Sequence, residues 1–179
     1  MSTVPTPDTQ VRVHIRWMIR RDMPEVLGIE QASFQPAWRE EEFLRVLRQR
    51  NCIGMIAELD ERVVGFMIYE LHKHKLQILN FAVHPEFRRA GVGARMIAKL
   101  VGKLSPQRRS KILLYVRETN LSAQLFYRSR GFKAIEVARE YYEDSGEDAF
   151  VMNFVVDESH AIEPETETAS HRHASRLDH

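Results

Sequence analysis

Apolar positions recur along this chain in two rhythms. Period two, or a short unbroken apolar run, marks strands; a period near 3.6 marks helices. Val11 to Ile19 reads as a strand. Asp22 then stands as a helix cap ahead of Pro24, with Met23, Val26, Leu27 and Ile29 on one side of the helix. Trp38 to Gln49 predicts a second helix that turns Phe43, Leu44 and Leu47 to one face. Ile53 to Leu59 and Val63 to Leu71 predict a hairpin around Asp60-Glu61-Arg62. Lys75 to Val83 is the next strand, and a helix runs from about Gly91 to Leu104. Ile112 to Val116 is strand-like, and Asn120 to Arg130 is a helix ended by Gly131, a residue suited to a left-handed cap. Phe132 to Ala138 and Ala149 to Val156 are closing strands. The order βααβββαβαββ predicts an α/β domain, a mixed central sheet with helices on both faces.

Composition narrows the class. The chain has 179 residues, of which 44% are hydrophobic, enough for one domain with a real core. The formal charge of +1 gives no general affinity for nucleic acid or membrane. The single cysteine, Cys52, excludes an internal disulfide and a multi-cysteine zinc site, and reads as a small buried strand residue. The N-terminus lacks a basic segment followed by an apolar run, and no apolar stretch approaches the ~20 residues of a membrane span. The expected compartment is the cytoplasm. Residues 1–10 carry two prolines and no period, and residues 158–179 are polar, so both read as disordered around a domain over 11–157. His160, His171, His173 and His179 lack a ligand spacing, and no metal site is expected.

The candidate chemistry starts in ILNFAVHPEFRRAGVGARM, from Ile78 to Met96. A strand ends at Val83, a turn holds Pro85, and Arg88-Arg89-Ala90-Gly91-Val92-Gly93 leads into a helix. Glycine lets a backbone close on a ligand, and the first amides of a helix lack partners within it. With the helix dipole and two arginines, this reads as a pyrophosphate cradle; an exposed charged turn is the plainer reading. The dinucleotide fingerprint fails for want of a third glycine, and the P-loop for want of its Gly-Lys-Ser/Thr.

The R-x-x-G-x-G spacing resembles the acetyl-CoA loop of the GNAT family of N-acetyltransferases. Asn120 to Phe132, read as N-x-x-A-x-x-x-Y-x-x-x-G-F, is similar to the second half of that family's cofactor site, in the same order and separation. Tyr141-Tyr142, followed by Glu147-Asp148-Ala149, resembles the ending of its N-terminal protein acetyltransferase branch, and the segments Phe34 to Trp38 and Leu79 to Val83 are similar to that branch's ribosomal-protein acetyltransferases. The resemblance spans roughly Val11 to Val156. It implies acetyl-CoA as co-substrate and a strand pair that splays at the cofactor site, with a bulge at Phe81-Ala82-Val83. Arg88, Arg89 and the amides from Ala90 to Ala94 (Gly91, Val92 and Gly93 between them) would hold the pyrophosphate. The strand amide would donate to the thioester carbonyl.

Four residues carry double readings. Asn120 caps a helix or reaches the cofactor arm as well. Tyr127, two turns later, is a core aromatic or, by resemblance, the acid that protonates the departing thiolate. Tyr141 and Tyr142 line the acceptor groove or simply pack. The family's basic residue falls at Tyr115, in Leu114-Tyr115-Val116-Arg117. A phenol with pKa near ~10 is a poor base. The base then lies elsewhere, or water relays the proton, or the activity differs; Glu118, Glu70, His72 and His74 are the nearby spares. The leading expectation is acetylation of the α-amine of a protein or peptide, ribosomal-protein-like, by direct transfer. The alternatives are a small-amine acetyltransferase (polyamine, amino acid or antibiotic) and an acyl-CoA sensor without turnover.

Overall fold

The structure is a computed structural model and describes residues 11–156. The tails expected over 1–10 and 158–179, and the last residue of the expected domain, lie outside the described residues. Seven strands form one sheet: β1 (His14–Trp17), β2 (Cys52–Leu59), β3 (Arg62–Leu71), β4 (Lys75–Val83), β5 (Lys111–Arg117), β6 (Lys133–Ala138) and β7 (Ala149–Val155). Their spatial order is β1-β2-β3-β4-β5-β7-β6. The helices are α1 (Met23–Ser33), α2 (Glu40–Leu47), α3 (Val92–Val101) and α4 (Leu121–Ser129). The chain order is the one the hydrophobic rhythm predicts. The β4–β5 pair is parallel and the other neighbouring pairs are antiparallel. No helix among the described residues is long and apolar enough to cross a membrane.

The sheet is buried on both faces. In β3, Phe66 and Ile68 point one way and Met67 and Tyr69 the other, as strand alternation requires. The first pair meets Val26 and Ile29 of α1 and Phe43 of α2; the second meets Met96 and Leu100 of α3 and Tyr127 of α4. Each large apolar side chain so buried contributes about 1.5–3 kcal/mol. Cys52 is buried in β2, and burial raises its thiol pKa, so it is a packed residue there.

Several ends move inward from the expected positions, for local reasons. The first strand stops at Trp17, not Ile19, because the Ile19 amide donates to Asp22 Oδ2 at 2.8 Å and turns the chain. Asp22 stands at the N-cap of α1 as expected, but its side chain makes no capping bond. Its carboxylate instead takes both terminal nitrogens of Arg16 at 2.8 and 2.9 Å, and Arg16 also reaches Glu58 of β2 at 2.6 Å. This pins the start of α1 to the sheet. The second helix begins at Glu40, where the Arg39 amide donates to Glu42 Oε2 at 2.8 Å. The third ends at Val101, where tight bonds from Lys103 to Leu100 and Leu104 to Val101 close it off. The hairpin turn is Asp60-Glu61, both left-handed, which matches the twist of its strands.

The irregularity that shapes the site lies in β4. Ile68 pairs with Asn80 and Tyr69 with Ile78, so Leu79 is an extra residue in a bulge. Leu79 and Asn80 both turn toward α1, and Phe81 and Val83 then face α3 and α4. The bulge expected at Phe81-Ala82-Val83 therefore sits two residues earlier.

Candidate active site

The parallel pair holds for three residues only, Lys75–Gln77 against Lys111–Leu113. Beyond them β4 and β5 diverge, and a cavity of about 280 Å³ opens. Ile78 to Phe81 form one wall and Leu114 to Arg117 the other; Phe34, Pro36 and Trp38 of the α1–α2 loop and Tyr142 of the β6–β7 loop close over it. A longer groove of about 820 Å³ runs from there past Val83 to Arg89, Gly91 and Gly93. The two spaces share Phe34, Phe81, Asn120, Ala123 and Tyr127. Carboxyl ends of neighbouring parallel strands are the usual ligand crevice of an open α/β sheet.

The groove ends in the glycine loop. Arg89 and Gly91 are left-handed, with φ of 62° and 83°, and α3 starts at Val92. The first bond of that helix runs from the Arg95 amide to the Gly91 carbonyl at 3.1 Å, so the amides of Val92, Gly93 and Ala94 precede the ladder. A Cβ on Gly93 would lie 3.2 Å from Phe126 Cζ, so glycine lets the helix start close on that ring. Arg89, Gly91, Gly93 and Ala94 line the groove as expected, while the Val92 side chain is buried in the core and the Ala90 carbonyl accepts from the Val11 amide at 3.4 Å. Arg88 lines the groove as well. Its Nε donates to the Val83 carbonyl and one terminal nitrogen to Ser33 Oγ, both at 3.0 Å, which ties the end of β4 to the end of α1.

Asn120 fulfils its capping reading, with Oδ1 accepting from the Ala123 amide at 3.1 Å, while its side chain lines both spaces. Tyr127 is buried among Phe81, Phe126 and Phe132. Among the described residues no protein group pairs with its hydroxyl. Burial, with Tyr142 adding to it, pushes the phenol well above the ordinary range, so it stays protonated at any working pH.

The cavity wall formed by β5 and the β6–β7 loop is aromatic. Tyr115 stacks on Tyr141 with ring centroids 4.5 Å apart. Tyr142 lines the cavity, burial pushes its phenol up to about 12, and the Arg117 guanidinium lies 3.8 Å from its ring centre. Arg117 also donates to both oxygens of Asp144, at 3.0 and 2.9 Å, and to Glu147 at 2.7 Å, holding the β6–β7 loop on β5. Tyr141, expected to line the acceptor groove, does not border the cavity and packs behind it on Tyr115 and Tyr142. The expected spare bases are elsewhere: Glu70 pairs with Asn51 and His72, and neither Glu118 nor His74 borders the cavity.

One carboxylate on the cavity wall escaped the sequence reading. Glu30, 1% exposed near the end of α1, accepts from the Trp38 amide and from Asn80 Nδ2, each at 2.8 Å. Burial raises its pKa, with a smaller push from Glu42. The signal was present: Glu30 lies four residues after Val26 and seven after Met23, on the buried stripe of α1.

The comparisons with known proteins agree with this geometry. Over 133 residues the chain is 29% identical to the ribosomal protein bS18-alanine N-acetyltransferase of Salmonella typhimurium, covering 73% of this chain and 89% of that one. Ard1 of Thermoplasma volcanium superposes with a TM-score of 0.74 at 29% identity, over 83% of this chain and 100% of that one. NAA60 of Arabidopsis thaliana, solved in complex with acetyl-CoA, shares the fold with a TM-score of 0.70 at 17% identity, over 81% of this chain and all of its own. The sequence model of the acetyltransferase (GNAT) family matches residues 18–132, and the chain belongs to that family.

Proposed function

We propose that this chain uses acetyl-CoA to acetylate the α-amine at the N-terminus of a protein. The observation that carries the reading is the shared wall. A groove ending in a phosphate cradle and a cavity walled by two loops meet at Phe81, Asn120 and Tyr127. Acetyl-CoA would supply an activated thioester. The groove residues fit it: the amides at the start of α3 and Arg89 suit a pyrophosphate, and the β4 edge freed by the splay offers backbone groups to an amide-bearing arm. The amine nitrogen attacks the thioester carbonyl, the C–S bond breaks, and Tyr127 gives its proton to the departing thiolate. Tyr115 and Tyr142 line the acceptor side. Relatives named for acetylating protein N-termini support a peptide acceptor over a polyamine or free amino acid.

The test is release of CoA from acetyl-CoA by the full chain, with peptides differing in their first three residues set beside polyamines and amino acids. Turnover with peptides is expected. Turnover confined to small amines would replace the acceptor, and binding of acetyl-CoA without turnover would make the protein a sensor.

A further inference from the structure

An α-amine has a pKa near ~8 and arrives at neutral pH largely as an ammonium. A proton must leave before nitrogen can attack. Among the described residues, the titratable groups that face the cavity are Glu30 from α1, Tyr115 and Arg117 from β5, Tyr127 from α4 and Tyr142 from the β6–β7 loop. The Arg117 guanidinium cannot accept a proton, and its charge is met by Asp144 and Glu147. Burial keeps the Tyr127 and Tyr142 phenols protonated, and Tyr115 is stacked on Tyr141. Glu42 of α2 acts on Glu30 through its charge without bordering the cavity, and Asn80 of β4 is uncharged.

The geometry points to Glu30 as the catalytic carboxylate that binds the acceptor ammonium and takes its proton, in place of the base that Tyr115 does not supply. This rests on the amine-acetylation reading above. A carboxylate offers about four acceptor positions. The Trp38 amide and Asn80 use two, one on each oxygen, and leave two for an ammonium in the cavity. The same bonds fix the group in place, and Asn80 faces it from β4 directly after the bulge at Leu79. In the step, an N–H bond of the ammonium breaks, the proton joins a Glu30 oxygen, the freed lone pair attacks the thioester carbon, and as the C–S bond breaks the nitrogen's surplus proton restores the Tyr127 hydroxyl that has protonated the thiolate. Glu30 then returns its proton to solvent. Burial moves Glu30 toward the working pH, where a general base is most effective.

The experiment is the pH dependence of kcat/KM in the full chain, with Glu30→Gln and Asn80→Asp beside the wild type, and with acetyl-CoA affinity measured for each. Gln is nearly isosteric, and Asn80 can turn its amide over to accept from it. Glu30→Gln is expected to lower kcat by roughly 10²–10⁴ and to lose the acidic limb of the profile, with acetyl-CoA affinity held within about twofold. Asn80→Asp sets a second carboxylate against Glu30 and is expected to move that limb up by roughly 1–2 pH units. If Glu30→Gln does not fold, the Asn80→Asp comparison decides alone. A limb at the same pH in wild type and Asn80→Asp, or a Glu30→Gln rate within about fivefold of wild type, would overturn the assignment. If the acceptor is a small amine, the peptide reading fails while the same comparison on that amine still decides Glu30. No turnover with any amine would overturn both.

Discussion

Tyr115 of β5 and Tyr141 of the β6–β7 loop lie ring on ring, with centroids 4.5 Å apart and planes 5° from parallel. The position that the resemblance marks for a base is thus a platform under the β6–β7 loop. An aromatic pair contributes about 0.5–1.5 kcal/mol beyond its buried area. Tyr115→Phe keeps the stack and is expected to leave kcat within about fivefold of wild type. Tyr115→Ala removes it and should raise the acceptor KM by roughly 2–10-fold, at about 1.4 kcal/mol per tenfold. Steady-state kinetics with one good acceptor checks both. Tyr115→Phe as inactive as a Tyr127 variant would put Tyr115 in the chemistry.

Tyr127→Phe deletes the one proton donor shared by the groove and the cavity. The expected loss in kcat is roughly 10²–10⁴, with acetyl-CoA binding nearly unchanged. Equal loss of binding would show that the hydroxyl holds the cofactor and does not protonate the thiolate.

Gly91 sits at φ 83°, where a β-branched residue is strained. Acetyl-CoA is expected to raise the melting temperature of the wild type by mass action. Gly91→Val should abolish that rise. A folded Gly91→Val protein with unchanged affinity would remove the cradle from the mechanism.

The two buried carboxylates at the ends of α1 should respond to pH with opposite sign. For Asp22, burial alone would raise the pKa, but Arg16 and the Ile19 amide hold it below the ordinary value. Its stabilisation is present above the unfolded pKa near ~4 and is lost as pH falls through the lower folded value. Asp22→Asn should cost about 2–3 kcal/mol at pH 7, near the low end for a broken buried pair because Arg16 keeps Glu58, and the gap should close in acid. For Glu30, burial raises the pKa, so the folded state binds the proton more tightly and stability declines as pH rises from the unfolded value toward the folded one. Glu30→Gln should flatten that decline. Denaturant titrations from pH 3 to 8 read both.

The order of elements was legible because it depends on the period of apolar residues, a local property. Asn120 was legible for the same reason: its cap closes over three residues, on Ala123. Arg88 and Arg89 are indistinguishable as letters, and only the fold shows that Arg88 is held by Ser33, 55 positions away. Glu30 was missed because its partner Asn80 lies 50 positions off, although its place on the α1 stripe marked it as buried. The bulge was misplaced because Ile78-Leu79 reads equally well as two adjacent residues of a strand buried on both faces.

The extra residue in β4 separates direction from shape. Were Leu79 removed, plain alternation would still send Ile78 and Phe81 toward α3 and α4, and Asn80 toward α1. Every side chain would keep its side of the sheet. What would vanish is about 3.3 Å of contour, the rise of one strand residue, now taken up as curvature. β4 is in that sense a regular strand carrying one surplus peptide unit at the place where it parts from β5. A chain shortened there should keep its core and lose its cleft.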